Sequence, residues 1–449
     1  MRAVPEKLGI KAYVGVIIVG IGFLFLYSEE CGAENIMTSY YGRPGFYVMA
    51  SIYFTIGVAS FIAPPIVKLI GTRLSIVVGA IPMVLFCASN ITTNMTLIQI
   101  GGILGGIGAS LVWAAQGKYL VGTCPDAALL GRFTGVFFMF HSSSQILGNT
   151  IMTIIRGQLK NDILSFVVLS GCGCCAVITF CCLPKLPQRA AAPASATANA
   201  AASAGAADAE SAELAIPTPL PAAPAKTLLQ KLGDFFLPVL RMLCTKQYLL
   251  LLPTLICMGL TISFWRGIIP PYAPKEHQST LFVVRGGVYV AVAIIIGRLS
   301  DTTGRLAMCT LLHVSGLLGS TLAFVAIRFV ETNLPMLYVA FVFFGIFEGC
   351  LQTQVMAIFG FLYPHSSDVA VSAYSQLRSL VAGTFFFVGP SIPLEAHFAV
   401  FMCMSTIGLV CIWILHYHVH PLDVRTQRKR EAAAQAAAQE QKPLLGQVV

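Results

Sequence analysis

Apolar residues run along this chain in long blocks separated by short polar or charged stretches. Twelve blocks approach the roughly 20 residues that a helix needs to cross a bilayer. They lie near 12–28, 46–67, 74–90, 96–119, 132–154, 163–183, 247–269, 279–297, 306–328, 335–361, 370–392 and 396–418. Several contain Gly or Pro, so their ends are soft by about 2–4 residues. A segment inside lipid must satisfy its own backbone hydrogen bonds, so the blocks predict helices and not strands. Between the sixth and seventh lies a different stretch, 187–226, almost all Ala, Pro, Ser and Thr with a few acids. Such a segment cannot bury a core. The pattern predicts an all-α polytopic membrane protein with 12 transmembrane helices. A six-helix bundle spans 1–186, a cytosolic low-complexity linker 187–246, a second six-helix bundle 247–420 and a cytosolic tail 421–449.

Composition agrees. The 449 residues are 56% hydrophobic and 10% charged, where a soluble domain carries about 25% charged residues. The net charge of +9 follows the membrane sides instead of forming a nucleic-acid patch. With a cytosolic N-terminus and alternating blocks, 20 of the 28 Lys and Arg fall in cytosolic segments. Arg43, Arg156, Lys160, Arg266, Lys275, Arg285 and Arg328 fall on the opposite side, and Arg378 falls inside a span. That asymmetry puts both termini in the cytosol. Glu29, Glu30, Cys31 and Gly32 follow the first block where a small-residue cleavage site would stand, so the first span is expected to serve as its own insertion signal. The 14 cysteines lie mostly in spans, where Cys packs as a small apolar residue. Only Cys31 sits clearly on the exoplasmic side, so no disulfide framework is expected. Cys172, Cys174 and Cys175 share the sixth span without His or acid companions, and neither metal nor other cofactor is expected.

Charged groups inside spans are costly and mark either function or pairing. Glu348 lies in the tenth span, with Gln352 one turn later on the same face. Arg378 lies in the eleventh, one turn after Tyr374. The two charges are expected either to pair across the cavity or to leave Glu348 free to titrate in a transport cycle. In the fifth span His141, Gln145 and Asn149 are spaced by four and form one polar stripe. Such a stripe lines a cavity or hydrogen-bonds another helix. In the fourth span Gly101, Gly105 and Ala109 form one line of small residues, and Gly102, Gly106 and Ser110 the next. This spacing lets helices approach closely. Trp113 and Gln116, beyond those lines, complete the cavity candidates. Glu29, Glu30 and Glu34 crowd the exit of the first span, as a solvated loop end or as a mouth that attracts cations.

Between the eighth and ninth blocks stands Gly297-Arg298-Leu299-Ser300-Asp301-Thr302-Thr303-Gly304-Arg305. A Gly-rich turn with one Asp and two Arg is a charge latch, because the Asp can pair with an Arg or cap a helix N-terminus. Gly297, Asp301, Gly304 and Arg305 are its parts. The run resembles the cytoplasmic loop of the major facilitator superfamily, which joins the second and third helices of a six-helix half. In the first half Lys68-Leu69-Ile70-Gly71-Thr72-Arg73 keeps the Gly and Arg but lacks the Asp, so a one-sided latch is expected. Six spans, a linker and six spans is the layout of two parallel repeats related by an axis along the membrane normal.

The run from Gly108 to Leu120, through Trp113, Gln116 and Tyr119, resembles the fourth-span signature of the uncoordinated-ninety-three-like family. Ser143-Ser144-Gln145-Ile146-Leu147-Gly148-Asn149 resembles that family's fifth-span signature, and Glu348-Gly349-Cys350-Leu351-Gln352-Thr353-Gln354 its tenth-span region. The family's Asp is Glu348 here and its eleventh-span Lys is Arg378, and both departures keep the charge. The resemblance implies a major facilitator fold whose known roles are mostly not transport. It implies an accessory subunit that regulates potassium channels, or a chaperone that escorts other membrane proteins between compartments.

Three outlying features bear on location. Asn90-Ile91-Thr92 and Asn94-Met95-Thr96 are N-glycosylation sequons in a loop that the charge count places outside. Arg425, Arg428, Lys429 and Arg430 form a juxtamembrane basic patch suited to anionic lipid. Glu440, Leu444 and Leu445 make an acidic dileucine pattern, which points to endolysosomal or vacuolar sorting as an alternative to the plasma membrane. Two functions remain open. One is a non-enzymatic regulator or trafficking partner of another integral membrane protein, a channel or a receptor. The other is a secondary transporter of a small solute or cation, coupled to protons through Glu348. No nucleophile–base set, phosphate loop or metal-ligand spacing marks an enzyme. The lipid bilayer is the expected surroundings and nucleic acid is not an expected partner.

Overall fold

The computed structural model describes residues 6–124, 130–185, 237, 241–329, 333–363 and 367–422, and these are nearly all helical. In chain order the first half holds α1 (Glu6–Tyr41), α2 (Arg43–Ala59), α3 (Ala63–Ile70), α4 (Thr72–Ser89), α5 (Met95–Thr123), α6 (Leu130–Met152) and α7 (Asp162–Cys181). The second half holds α8 (Lys246–Ser263), α9 (Lys275–Thr303), α10 (Arg305–Arg328), α11 (Leu334–Leu362), α12 (Ser367–Val388) and α13 (Leu394–Ile414). Of the expected linker and tail, only 237, 241–246 and 421–422 are described, so the basic patch and Glu440, Leu444 and Leu445 lie outside the described residues.

Among the described residues, nine helices are long and apolar enough to cross a bilayer, or ten when α2 and α3, bent by 65°, count as one span. The two remaining long helices are α6 and α12, with 23 and 22 residues. They fall short in hydropathy because they carry the polar stripe from His141 to Asn149 and the Tyr374–Arg378 pair. The helices lie in two groups. The halves meet where α2 packs on α12, α6 packs on α9, and α1 passes the π-helical turn that ends α8. Second helix against fifth, in both directions, is the pairing that a two-fold relation between repeats produces.

The repeat is visible in backbone geometry. Gly71 and Gly304 both take a left-handed conformation, with φ of 88° and 90°. No side chain adopts that backbone cheaply, so Gly breaks one helix and starts the next. The Arg that follows each Gly ties the turn to the end of its own half. Arg73 donates to the carbonyl of Cys181 at the end of α7, and Arg305 donates to the carbonyl of Leu422, 3.0 Å away, while lying 5.0 Å over the Phe361 ring. The expected one-sided latch is therefore two-sided in its Arg contacts. Gly297 and Asp301 sit in the last turns of α9, and their side chains lie outside the described residues.

The first helix differs from its expected bounds. It runs 36 residues without a break to Tyr41, and Gly42 at φ 61° ends it. At 1.5 Å per residue that is about 54 Å. Glu29, Glu30 and Glu34 are therefore inside the helix and not at a loop end, with Glu29 and Glu34 fully buried. Cys31 is likewise buried within the bundle and not on an outer face.

Close packing follows the Gly lines of α5. Gly101 and Gly105 lie against Phe86 of α4, and Gly102 and Gly106 against Ile52 of α2. A Cβ at Gly108 would stand 2.2 Å from the Gly79 carbonyl oxygen, whereas one at Gly117 meets nothing within 4 Å. Replacing Gly108 by Val is expected to cost about 1–3 kcal/mol through backbone displacement. Thermal unfolding in detergent should show G108V melting several degrees low and G117A unchanged. Equal melting of the two would contradict the close α4–α5 contact.

Candidate functional site

Among the described residues four arginines that are not exposed stand between the halves, Arg156, Arg266, Arg285 and Arg378, and each meets a different environment. Arg266 lies in the wide π-helical turn Phe264–Ile268 that ends α8. Its guanidinium pairs with Glu34 of α1 and donates to the Tyr53 hydroxyl of α2 at 2.8 Å. Tyr53 in turn donates to Glu34 at 3.0 Å. Thr38, one turn beyond Glu34, donates to the Arg266 and Gly267 carbonyls at 3.1 and 3.0 Å. The wide turn leaves those carbonyls open to a side chain of the other half. Glu34 and Arg266 are thus one network, joining residues 232 apart in sequence.

Arg285 of α9 is 1% exposed. It pairs with Glu348 of α11 and donates to Gln145 of α6 at 3.0 Å. Its guanidinium sits 5.5 Å from the Trp265 ring and 5.4 Å from the Phe282 ring. Gln145 passes the connection on, donating to the Cys31 sulfur of α1 at 2.7 Å. A Cβ at Gly286 would lie 3.0 Å from Gln145, so the absence of a side chain there lets α6 and α9 approach. Nearer the Tyr41 end, Gln278 accepts from Ser39 at 2.9 Å and from Arg156 at 3.1 Å. Arg156 also pairs with Asp162 at 3.0 Å.

Among the described residues Arg378 of α12 makes no ion pair, although its charge reaches the Glu30 carboxylate of α1. Its Nε is buried without a hydrogen bond, and its guanidinium lies 5.8 Å from the Tyr374 ring. Across the junction stand Tyr27 of α1, Trp113 of α5 and His141 of α6. The Tyr27 and His141 rings are 4.7 Å apart, and Trp113 is 5.1 Å from His141 and 5.6 Å from Tyr27. The Tyr27 hydroxyl, the Tyr374 hydroxyl and His141 Nδ1 are buried without hydrogen-bond partners. On α1 one carboxylate oxygen each of Glu30 and Glu34 and both of Glu29 are also buried without partners, and the Glu29 carboxylate lies against Gly173 of α7.

Several expected site residues come together here. Trp113, His141, Gln145, Glu348 and Arg378 all border the junction. The expected pairing of Glu348 with Arg378 is replaced by Glu348 with Arg285, because α11 packs along α9 and touches α12 at few points. Asn149 belongs to helix packing: it accepts from Asn35 of α1 at 3.0 Å and donates to the Gln145 carbonyl at 2.7 Å. Gln116 is buried a turn beyond Trp113, and Gln352 is half-buried on α11; neither has a hydrogen bond into the cluster among the described residues. Tyr53 was not singled out in the sequence, Glu34 was expected at a loop end or cation-attracting mouth, and Arg266 and Arg285 were assigned to the outer side. The unbroken run of helix-compatible residues through Glu34, with no Pro or Gly pair before Gly42, was the available signal.

Of the two sequon asparagines, Asn90 is fully buried and donates to the Phe86 carbonyl at 2.9 Å. Asn94 is exposed and caps α5, accepting from the Thr96 amide at 3.0 Å. All 14 cysteines are free, Cys174 and Cys175 face outward, and no group of three metal-ligating side chains occurs among the described residues.

Residues 38–274 match the family described as ion channel regulatory protein UNC-93, and residues 273–448 match the Major Facilitator Superfamily. The chain is 22% identical over 426 residues to protein unc-93 homolog A of Homo sapiens, covering 88% of this chain and 91% of that one. It is 23% identical over 458 residues to UNC93-like protein MFSD11 of Xenopus tropicalis, covering 92% and 97%. Among solved structures, a D-xylose-proton symporter superposes with a TM-score of 0.65 at 11% identity, over 92% of this chain and 98% of that one. That likeness shows the fold alone.

Removing one partner of a buried ion pair strands the other, at about 3–5 kcal/mol. R285M is therefore expected to lower the melting temperature strongly, and R285M/E348M to recover most of the loss. R378M and E348M should add without coupling. A double-mutant cycle by thermal melting reads both pairs. Coupling of Glu348 to Arg378 in place of Arg285 would overturn this assignment.

Proposed function

The chain belongs to the ion channel regulatory UNC-93 family and has the major facilitator fold, and from that premise we propose that it regulates or escorts another integral membrane protein by shifting between two arrangements of its halves. An ion channel is the first candidate partner, with a potassium channel the class that the resemblance implies. The observation that carries this reading is the network of Glu34, Tyr53 and Arg266. Charges that a carrier would offer to a substrate are used here to join one half to the other. A junction made of a few charge-assisted bonds has two discrete states, made and broken. Breaking it alters the outer helix surfaces that a neighbour would touch, and this is what a regulator requires. Both termini are taken as cytosolic, by the charge asymmetry, in the plasma membrane or an endolysosomal or vacuolar membrane.

A second reading, transport of a small solute, has one observation in its favour: Arg378, Tyr27 and His141 keep unused hydrogen-bonding groups at the junction. Neither reading involves catalysis. The two separate when tagged protein is purified from its native membranes in mild detergent and its companions are identified by mass spectrometry. Regulation requires a stoichiometric membrane partner whose recovery changes in E34Q or R266Q while the protein itself stays folded. A partner-free protein that takes up solute in liposomes would replace regulation by transport.

A further inference from the structure

We propose that α3 lies in the headgroup region of one leaflet and docks the first half onto anionic lipid, with Ile62, Ile66 and Leu69 among the upper acyl chains and Lys68 at the phosphates. The inference goes beyond the regulatory reading and does not depend on it.

The first argument is depth and direction. The helices on either side, α2 and α4, have 17 and 18 residues. Each is about 25–27 Å long, close to the hydrocarbon thickness of roughly 30 Å. The residues between them therefore stand at the border of the bilayer. Pro64 and Pro65 open α3. Neither has an N–H to continue the hydrogen bonds of α2, and α3 leaves α2 at 65°. A helix bent that far from a span lies nearer the membrane plane than the membrane normal. In the second half the helix before the left-handed Gly is α9, which runs 29 residues with no such bend.

The second argument is the pattern of faces. Ala63 and Val67 are buried where α3 packs on α4 and α5. Ile62, Ile66 and Leu69 are spaced by four and three, so they share another face. All three are exposed, Leu69 to 84%. Val58 near the end of α2 and Leu74 near the start of α4 are exposed too, so this face continues the lipid-facing surface of both spans. Lys68 is also exposed, about 100° round the helix from Leu69 and about 200° from Ile66. An apolar face with a Lys on the opposite side is the pattern of a helix lying in the membrane interface.

The third argument is charge. Residues 57–80 carry Lys68 and Arg73 and no acid. Lys68 makes no ion pair among the described residues. Arg73 donates to the Cys181 carbonyl, which brings the end of α7, and with it the exposed Lys185, to the same corner of the bundle. An acid-free corner with exposed lysines complements the negative surface of a cytosolic leaflet, and the charge asymmetry puts this end on that side. The contact also has a lever, because α2 packs on α12 of the other half. Lipid that holds α3 favours the arrangement of the halves that keeps α3 at headgroup depth.

The test uses the purified full chain in lipid nanodiscs. I66C, L69C and K68C, each in a background whose exposed native cysteines are replaced by serine, carry a bimane fluorophore. I66C and L69C are expected to be quenched by lipids with a nitroxide high on the acyl chain, and K68C by aqueous iodide. Equal quenching of all three by iodide would overturn the immersion of α3. Thermal unfolding then compares phosphatidylcholine with an equal mixture of phosphatidylcholine and phosphatidylserine, and with phosphatidylcholine plus soluble glycerophosphoserine. Phosphatidylserine is expected to raise the melting temperature and the free headgroup to leave it unchanged. K68Q/K185Q should lose most of that rise while melting like the unmodified protein in phosphatidylcholine, since each lysine at an anionic surface contributes about fivefold in affinity. K68R keeps the charge and should keep the rise. No rise with phosphatidylserine, an equal rise with glycerophosphoserine, or an undiminished rise in K68Q/K185Q would each overturn the lipid contact. The quenching measurement needs neither glutamine variant, so it stays decisive if K68Q/K185Q does not fold.

Discussion

A guanidinium that cannot reach water must find its partners inside the protein, and this constraint governs how the two halves of the molecule meet. Arg266 and Arg285 are both held by carboxylates, and in each case atoms of the first half complete the arrangement, Glu34 and Tyr53 for one and Gln145 for the other. A bare charge in hydrocarbon costs several kcal/mol, so neither half is well satisfied alone. The hydrogen bonds between halves cluster from the mid-plane to the Tyr41 end, where Thr38, Ser39 and Arg156 add to the two networks. Helix packing of α2 on α12 and α6 on α9 then follows a geometry that the charges have registered.

Within each half, a second and quite different device does the same for the opposite end. A left-handed Gly turns the chain between the second and third helices, and an Arg beside it reaches the carbonyl at the end of the sixth. Because Arg73 and Arg305 each stay within their own half, these contacts make each bundle rigid without tying the bundles together. The molecule therefore combines two stiff bodies with a polar junction that is strongest toward one end. Motion between such bodies is of the rigid-body kind that packed cores permit.

Much of this was legible in the sequence. The helices, the division into two groups and the close face of α5 follow from apolar block length and small-residue spacing, which are local properties. The polar stripe of α6 was legible as a stripe, but its division was not: Gln145 meets Arg285 while Asn149 meets Asn35, and only the neighbouring helices decide that. Glu34 and Arg266 were read as outer charges because hydropathy along one chain cannot distinguish a charge at a loop from a charge whose partner lies 232 residues away. The pairing of Glu348 depends on which helix α11 packs against, a tertiary fact with no local signal. Asn90 and Asn94 carry the same sequon, yet one amide is buried in its own helix turn and the other is exposed at a helix start.

The claim that buried charges hold the halves together can be measured as a distance. Arg43 of α2 and Ser391, which follows α12, are exposed and stand 3.5 Å apart across the junction at the Tyr41 end. Spin labels on cysteines at these two positions, in a background whose exposed native cysteines are replaced by serine, report that separation by pulsed electron resonance. With Glu34 intact a single short distance is expected, and in E34Q a second, longer population. An identical short distribution in both proteins would show that packing alone closes this end, and would contradict the account.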